Sequence, residues 1–323
     1  MSEKAAQFPL VDVSGYINPT SPEDKAQVVA KIRDAFKKFG FFQCTGHGVP
    51  VSLQRAMFKS LERFFSLPKE EKMEISVLKS PCRRGYEASG AHSRDGKAIP
   101  DAKEIKSYYF CEDDPKVEMG GIYGPNQWPP LPEDEFRKPI WEYYEKTATM
   151  GKLLWEILIQ GLDRSPSTME RFSKRPLIGM NLLRYPSPAE TSEGQFGLGA
   201  HNDWGGITVL LQEPGKEALE IWLDDEKEWV SVPAVEDRFV INCGDMLSGW
   251  SGHTYKAVHH RVVNKAPAER YSAVTAWHGD IFATNPFEEH GTSKETVGHL
   301  FVKRFQKQMK PSKELLAAIG VEA

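Results

Sequence analysis

Hydrophobic residues recur at a helical spacing in the first half of the chain. Ser21, followed by Pro22 and two acidic residues, marks the start of a helix. Apolar residues then recur every three to four positions, which is the pattern of a helix that packs by one face: Val28, Val29, Ile32, Ala35 and Phe36. The same spacing predicts helices over 52–66 and 133–161, and a closing helix over 293–309.

From residue 179 onward the pattern changes to short apolar runs separated by turns. These runs predict strands over 180–186, 207–211, 219–223, 229–232, 255–263 and 271–277, and a strand followed by a turn over 239–247, after two earlier strands over 41–44 and 104–110. Many short strands at such spacing are typical of a jelly roll built from two sheets. We therefore predict an α+β protein with a mainly β core. It would be one domain over 1–323, with a helix-rich region over 1–175 and a jelly-roll core over 176–290.

Composition narrows the class of protein. At 323 residues and 36.4 kDa the chain can bury a sizeable core, and a net charge of −4 gives no reason to expect nucleic acid as a partner. No apolar run is long enough to span a bilayer and the first residues are polar, so we expect no membrane association and a cytoplasmic location. The four cysteines, Cys44, Cys82, Cys111 and Cys243, are scattered, which favours buried reduced thiols over a zinc site.

The first candidate chemistry lies just before the apolar run 207–211. His201 and Asp203 are two residues apart, and in extended chain such side chains leave the same face. A buried carboxylate is costly unless it is paired or bound to a metal, so the two side chains suggest a metal site. About one His-x-acid triplet is expected by chance in a chain of this composition. A second one is present, His278-Gly279-Asp280, and we interpret it as a surface turn after the strand 271–277.

A third candidate ligand lies in the strand-like run 255–263. His259 and His260 are neighbours there, and since neighbours in a strand face opposite sides, only one of them can point inward. Two histidines and one carboxylate leave three positions of an octahedron open. That arrangement is typical of non-haem Fe(II) oxygen chemistry.

A candidate anion site follows ten residues after His260. Arg270 and Ser272 share one strand face, and Arg270 can hold a carboxylate through two parallel hydrogen bonds while Ser272 adds a third. A carboxylate held beside an open iron site suggests a 2-oxo acid as cosubstrate.

Taken together, this series of motifs resembles the isopenicillin N synthase-like family of Fe(II)- and 2-oxoglutarate-dependent oxygenases. Further similarity extends over most of the chain, through the segments 8–14, 39–50, 64–72 and 84–86. The resemblance implies a double-stranded β-helix braced by N-terminal helices and a C-terminal helix. It assigns the metal to His201, Asp203 and His260, because the family's second histidine ligand directly precedes an arginine.

The resemblance also implies how the cosubstrate is bound. Arg270 and Ser272 would hold the distal carboxylate of 2-oxoglutarate, and the hydroxyl of Tyr185 would join them. Two positions before this tyrosine the family often has Asn, and this chain has Leu183.

The implied activity is oxidation of a C–H bond in a small organic molecule, in specialised metabolism, with succinate and CO2 as co-products. The cofactors and cosubstrates would be Fe(II), 2-oxoglutarate and O2, with ascorbate needed in vitro. Two alternatives remain open. One is an iron oxidase of the same fold that does not use 2-oxoglutarate, and the other is a non-catalytic binding protein.

The substrate wall is expected in the irregular segment 79–124, which the family uses to cover its iron. We predict substrate contacts from Arg84, Tyr86 and Tyr108 in this segment and from Trp204, which directly follows a metal ligand. Aromatic rings with one arginine suit a planar molecule that carries an anionic or carbonyl group. The alternative is that these rings fill the space between the helices and the sheet.

Overall fold

A computed structural model describes residues 8–80, 82–90, 101–109, 122–192, 194–263, 265, 267–288, 293–305, 316–317 and 319. Three of the four cysteines, Cys44, Cys82 and Cys243, are buried free thiols, as predicted. The fourth, Cys111, lies outside the described residues.

Eight α-helices form in the described part of the chain. They are α1 (Ser14–Ile17), α2 (Pro22–Lys38), α3 (Val51–Phe65), α4 (Lys69–Glu74), α5 (Arg137–Gln160), α6 (Met169–Phe172), α7 (Asp245–Trp250) and α8 (Val297–Phe305). Ser21 caps α2 through a capping box with Asp24. The predicted helices are confirmed within a few residues of their predicted bounds, except that the predicted end of the closing helix, 306–309, lies outside the described residues.

Twelve strands form in the same residues. They are β1 (Leu10–Asp12), β2 (Phe41–Thr45), β3 (Gly85–Glu87), β4 (Glu104–Tyr109), β5 (Pro176–Tyr185), β6 (Leu198–His201), β7 (Ile207–Gln212), β8 (Leu219–Leu223), β9 (Glu228–Ser231), β10 (Phe239–Cys243), β11 (His260–Val262) and β12 (Arg270–Asp280). One predicted strand is shorter than expected, because the run 255–263 contributes only β11. In the run 239–247, predicted as a strand followed by a turn, the strand ends at Cys243 and α7 begins at Asp245.

The strands form two sheets. The large sheet has the order β1-β2-β10-β7-β12-β5-β4-β3, and the small sheet has the order β6-β11-β8-β9. This mainly β core with helices on one side is the predicted jelly roll. The first four strands belong to the helix-rich region, and they extend the large sheet at both edges.

The two faces of the large sheet have different partners. On β12, the outer face packs against α5: Thr147 on the helix and Thr275 on the strand share a 3.0 Å hydrogen bond. Side chains alternate along a strand, so Arg270, Ser272, Val274 and Ala276 share the opposite, inner face. The inner face is turned towards the small sheet, and it carries the candidate site.

The C-terminal helix α8 closes one side of this core. Its buried Phe301 and Val302 pack in a cluster with Leu177 of β5 and with Ile281, just after β12. The predicted bracing by a C-terminal helix is confirmed over 297–305. No helix in the described ranges is long and apolar enough to cross a membrane.

Candidate active site

The metal triad is assembled where β6 ends and β11 begins. His201 is the last residue of β6, His260 is the first of β11, and the two are directly paired in the small sheet. Nε2 of His201 lies 3.6 Å from Oδ1 of Asp203, and Nε2 of His260 lies 3.7 Å from the same oxygen. The three ligand atoms lie within 4.8 Å of one another, so one ion can contact all three. Asp203 itself lies beyond the end of β6, between β6 and β7.

The loop that carries Asp203 is docked on the start of α7. Backbone N–H groups of Asp245, Met246 and Leu247 donate to the carbonyls of residues 203, 204 and 205, and the N–H of Gly244 donates to the carbonyl of residue 206. These N–H groups have no partner within their own helix, so the loop satisfies them. These four backbone hydrogen bonds therefore fix the conformation of the loop that carries Asp203.

Two glycines allow this docking. A Cβ atom at Gly205 would lie 2.0 Å from Nδ1 of His278, and one at Gly206 would lie 2.4 Å from the carbonyl oxygen of Trp277. Neither contact is sterically possible, so the Gly205-Gly206 pair after the aspartate is needed for close packing against the end of β12.

Neighbouring groups orient each ligand atom. Nδ1 of His201 is 2.8 Å from the carbonyl of Gly199, and Nδ1 of His260 is 3.2 Å from the carbonyl of Val258. A carbonyl only accepts, so both Nδ1 atoms carry the proton and both Nε2 atoms keep a lone pair for a metal.

The aspartate is held through its other oxygen. Oδ2 of Asp203 accepts hydrogen bonds from Oγ1 of Thr208 at 2.5 Å and from Nδ2 of Asn242 at 2.8 Å. Oδ1 is thereby left to face the two histidines. Sequence reasoning missed Thr208 and Asn242. A polar residue on an otherwise apolar strand, as in Ile207–Gln212 and Phe239–Cys243, was the available signal.

The donor set fits a divalent cation. Loss of hydration opposes ionisation of Asp203, but its interactions with His260, His201 and Asn242 outweigh this effect and hold the pKa of the carboxyl well below its usual value. Two neutral imidazoles and one carboxylate are the donors of the facial triad of non-haem iron oxygenases.

The rival histidines do not reach this centre. His259 is exposed, whereas His260 is 7% exposed. His278 is also buried, and its Nδ1 accepts from the N–H of Gly206. Our expectation of a surface turn at His278 is therefore corrected, because β12 continues to Asp280. Burial lowers the pKa of His278 to about 4.

Arg270 is a buried cation that is only partly satisfied by the protein. It is 1% exposed, its Nε donates to the carbonyl of Lys216, and its Nη2 donates to Oε1 of Gln212. Its Nη1 is buried with no hydrogen-bond partner among the described residues. A buried guanidinium with an unused donor is costly unless an anion completes it, so the residues present fit a bound carboxylate.

Ser272 and Tyr185 lie beside this guanidinium. The Oγ atom of Ser272 is buried and likewise has no partner in the described part of the chain. Tyr185 is directly opposite Arg270 in the β5–β12 pair, and its ring centroid lies 5.1 Å from Cζ of Arg270. Burial raises the pKa of the Tyr185 hydroxyl, and the Arg270 charge opposes that rise.

Leu183 supplies an apolar side to the same pocket. It is directly opposite Ser272 and packs with Tyr185, Ala218 and Val262. The position where the family often has Asn therefore contributes packing here and no hydrogen bond.

Three of the expected substrate contacts are not brought to the triad. Tyr108 is fully buried in the helix-side core, with its ring centroid 4.5 Å from that of Trp128. Tyr86 belongs to the same core and donates to Oε2 of Glu104, and the Arg84 guanidinium donates to the carbonyls of Ile122 and Gly124. Strand alternation is the reason: Tyr108 faces the helices, and its neighbour Ser107 faces inward. The structure therefore does not bring these three side chains to the triad, and their contact with substrate stays a prediction.

Trp204 is closer to the triad in sequence but points away from it. Its ring centroid lies 5.3 Å from that of His278 and 5.6 Å from those of Phe301 and Phe305. The indole therefore links the ligand loop to α8.

Comparison with known proteins agrees with this geometry. Residues 8–131 match the family profile described as "non-haem dioxygenase in morphine synthesis N-terminal", and residues 178–279 match the 2OG-Fe(II) oxygenase superfamily. The chain is 58% identical over 320 residues to the 2-oxoglutarate-dependent dioxygenase thnC of Trichoderma harzianum, with 99% of each chain covered. It is 42% identical over 306 residues to the 2-oxoglutarate-dependent dioxygenase caaD of Aspergillus niger, with 94% of each covered.

Solved structures share the fold. A Neurospora crassa protein that was crystallised in complex with alpha-KG superposes with a TM-score of 0.79 at 24% identity, over 93% of this chain and 96% of that one. With identity this low the likeness concerns the fold alone. The high identity to the Trichoderma protein over the whole chain decides the family: this protein belongs to the Fe(II)- and 2-oxoglutarate-dependent oxygenases.

Proposed function

We propose that His201, Asp203 and His260 bind the catalytic Fe(II), and that Arg270, Ser272 and Tyr185 bind the distal carboxylate of 2-oxoglutarate. The observation that carries this proposal is the buried Arg270 with its unused Nη1 on the inner face of β12. Ala276 lies on the same face of β12, six residues after Arg270, and is paired with Thr208 of β7. The hydroxyl of Thr208 in turn holds the ligand Asp203. The anion site and the triad therefore lie along one surface.

The residues of the chain have distinct tasks in this reaction. When bound, Fe(II) supplies the activation of O2 that couples oxidative decarboxylation of 2-oxoglutarate to oxidation of a substrate C–H bond. The backbone carbonyls of Gly199 and Val258 fix the histidine tautomers, and Thr208 with Asn242 fixes the carboxylate. Arg270 orients the cosubstrate by its far end. For a hydroxylation, R–H, 2-oxoglutarate and O2 give R–OH, succinate and CO2, with one oxygen atom in the alcohol and the other in succinate.

The substrate is a small organic molecule of specialised metabolism. Relatives support this assignment: one of them, 31% identical over 312 residues, is named clavatol oxidase claD of Penicillium crustosum. The Neurospora crassa protein has also been crystallised with thymine. Both observations support a small-molecule substrate.

Succinate release tests the proposal. The purified protein is incubated with Fe(II), ascorbate and 2-oxoglutarate, with clavatol and thymine as first candidate substrates, and succinate and oxidised product are quantified. We expect substrate-stimulated succinate in a 1:1 ratio with product, and none from Asp203→Ala. Oxidised product without succinate would instead indicate an iron oxidase. Ligand binding with no turnover of any candidate would favour a binding protein.

A further inference from the structure

Part of the inner face of the large sheet is open to solvent. Ser107 on β4, Gly179 and Asn181 on β5, and Val274 and Ala276 on β12 are all half-buried. We call these five residues the inner patch. Their outer-face neighbours, such as Met180 and Thr275, are fully buried. Both β5 and β12 have strands on each side in the sheet, so the exposed surface of the inner patch lies on the face that is turned towards the small sheet.

The inner patch adjoins the metal side of this face. Ala276 is paired with Thr208 on one side and with Gly179 on the other. Adjacent strands are about 5 Å apart, so the backbone of Gly179 lies about 10 Å from that of Thr208. Asn181 follows two residues later on the same face. A small molecule lying on the patch therefore has one end beside the triad.

The centre of the patch has almost no side chains. Gly179 and Ala276 face each other across β5 and β12, so nothing beyond a single methyl group rises from the sheet there. Glycine weakens a strand interior and often marks a place where a ligand approaches the backbone closely. Val274 is next to this gap, and the buried Leu183 continues the apolar lining along β5. The shape and lining suit a thin, largely apolar molecule.

One polar pair borders this gap. Ser107 and Asn181 are directly opposite in the β4–β5 pair, and Oγ of Ser107 donates a 2.7 Å hydrogen bond to Oδ1 of Asn181. In this arrangement Ser107 engages the amide oxygen and restrains rotation of the amide group. It leaves the two N–H groups on Nδ2 of Asn181 without a hydrogen-bond acceptor in the residues that the structure describes, on a side chain that solvent can reach.

We propose that Asn181, oriented by Ser107, is the specificity-determining residue for the substrate. The substrate class is a flat, mainly apolar ring compound with an oxygen acceptor at one edge. The ring lies over Gly179 and Ala276, and the oxygen accepts from Nδ2 of Asn181. This inference rests on the proposed function, because it places the oxidised C–H bond at the end of the ring nearer the triad.

Binding of two matched probes tests the inference. 4-Methylbenzaldehyde carries a carbonyl acceptor, and 1,4-dimethylbenzene has nearly the same shape without one. The protein is loaded with Mn(II) and 2-oxoglutarate under anaerobic conditions, and dissociation constants are measured from the paramagnetic relaxation of the probe protons. We expect the aldehyde to bind about fivefold more tightly than the hydrocarbon, which is the effect of one ordinary hydrogen bond.

Two variants and a control assign this preference to the polar pair. Asn181→Leu should remove the preference while hydrocarbon binding persists, and Ser107→Ala should reduce it because the amide can then rotate. Asn18→Leu, at an exposed position just after α1, should keep the wild-type ratio. The inference is overturned if neither probe binds, if both bind equally to the wild type, or if Asn181→Leu leaves the ratio unchanged.

Metal and cosubstrate binding separate this inference from the proposed function. Titrations of Mn(II) and of 2-oxoglutarate into the wild type and both variants are measured first. If these ligands fail to bind the wild type, the proposed function fails. If they bind normally to all three proteins and the probe preference is absent, only the role of Asn181 fails.

Discussion

Thr208 donates a 2.5 Å hydrogen bond to Oδ2 of Asp203 and so leaves Oδ1 to face His201 and His260. The bond crosses from the start of β7 to the ligand loop. Without it, Oδ2 would keep the hydrogen bond from Asn242 but would be held less firmly against rotation of the carboxylate. The hydroxyl therefore acts on the metal through the ligand that it positions.

The first prediction concerns this hydroxyl. Thr208→Val keeps the shape of the side chain and removes the donor, and loss of a hydrogen bond to a ligand typically lowers metal affinity by about 10- to 100-fold. We expect a loss in this range for Co(II), measured by calorimetric titration. Thr149→Val, on the exposed face of α5, serves as the control and should bind Co(II) as the wild type does. Equal affinity of the two variants would contradict the role assigned to Thr208.

The second prediction compares the adjacent histidines. His260→Ala should abolish metal-dependent turnover, because it removes one of three ligands, and should greatly weaken Co(II) binding. His259→Ala should leave most of both, since that side chain is exposed. The reverse result would mean that His259 is the ligand and that the register of β11 is wrong.

The third prediction concerns Arg270. Truncating one partner of a buried ion pair costs on the order of 2–5 kcal/mol, so Arg270→Ala should weaken apparent 2-oxoglutarate affinity about 30-fold or more. Arg270→Lys should restore little, because a point charge does not reproduce the planar fork of the guanidinium. The measurement is succinate release against 2-oxoglutarate concentration. An unchanged dependence in the alanine variant would favour the oxidase alternative.

Much of the fold and part of the candidate site could be predicted from the sequence. Apolar periodicity predicts the helices and most strands. The opposite faces of neighbouring strand residues predict that His260 and His259 point to opposite sides. The placement of Tyr108 did not follow, because the pattern of β4 does not say which of its faces meets the helices. A shift of the strand register by one residue would place Tyr108 at the inner face instead of Ser107.

Contacts between distant segments were also beyond sequence reasoning. Thr208 and Asn242 meet Asp203 only because β7 pairs with β10 and the ligand loop docks on α7. His278 looked like a turn residue from its flanking glycine, yet it is buried against Gly206. Such positions are decided by tertiary packing, which local propensity does not encode.

The fourth prediction concerns the glycine next to the ligand loop. In Gly205→Ala the added Cβ would overlap the ring of His278, which is itself held by the N–H of Gly206. Overpacking of this kind costs about 1–3 kcal/mol, so the melting temperature should fall, and Co(II) affinity should fall with it because the loop carries Asp203. Gly249→Ala, within α7 with open space around its Cβ, is the matched control and should be tolerated. Normal Co(II) affinity in Gly205→Ala would mean that the loop need not be packed this closely.

The last prediction is a pH dependence set by His278. Burial lowers the pKa of this imidazole from 6.5 to about 4, so between these two values the unfolded chain binds a proton that the folded protein does not. Stability of the metal-free protein should therefore fall as the pH decreases from about 6.5 to 4, by roughly 3 kcal/mol from this one group.

The pKa of Asp203 is held below 3.8, so the loss of its contribution comes at lower pH, outside this window. Burial also lowers the pKa of His47, which adds to the slope in the wild type and in any His278 variant alike. His278→Gln keeps an acceptor for the N–H of Gly206 and cannot titrate, so urea unfolding of the two proteins at pH 7 and pH 4.5 isolates the effect. A wild type that loses no more stability than His278→Gln over this range would show that His278 is already protonated, or is reached by water, in the folded protein.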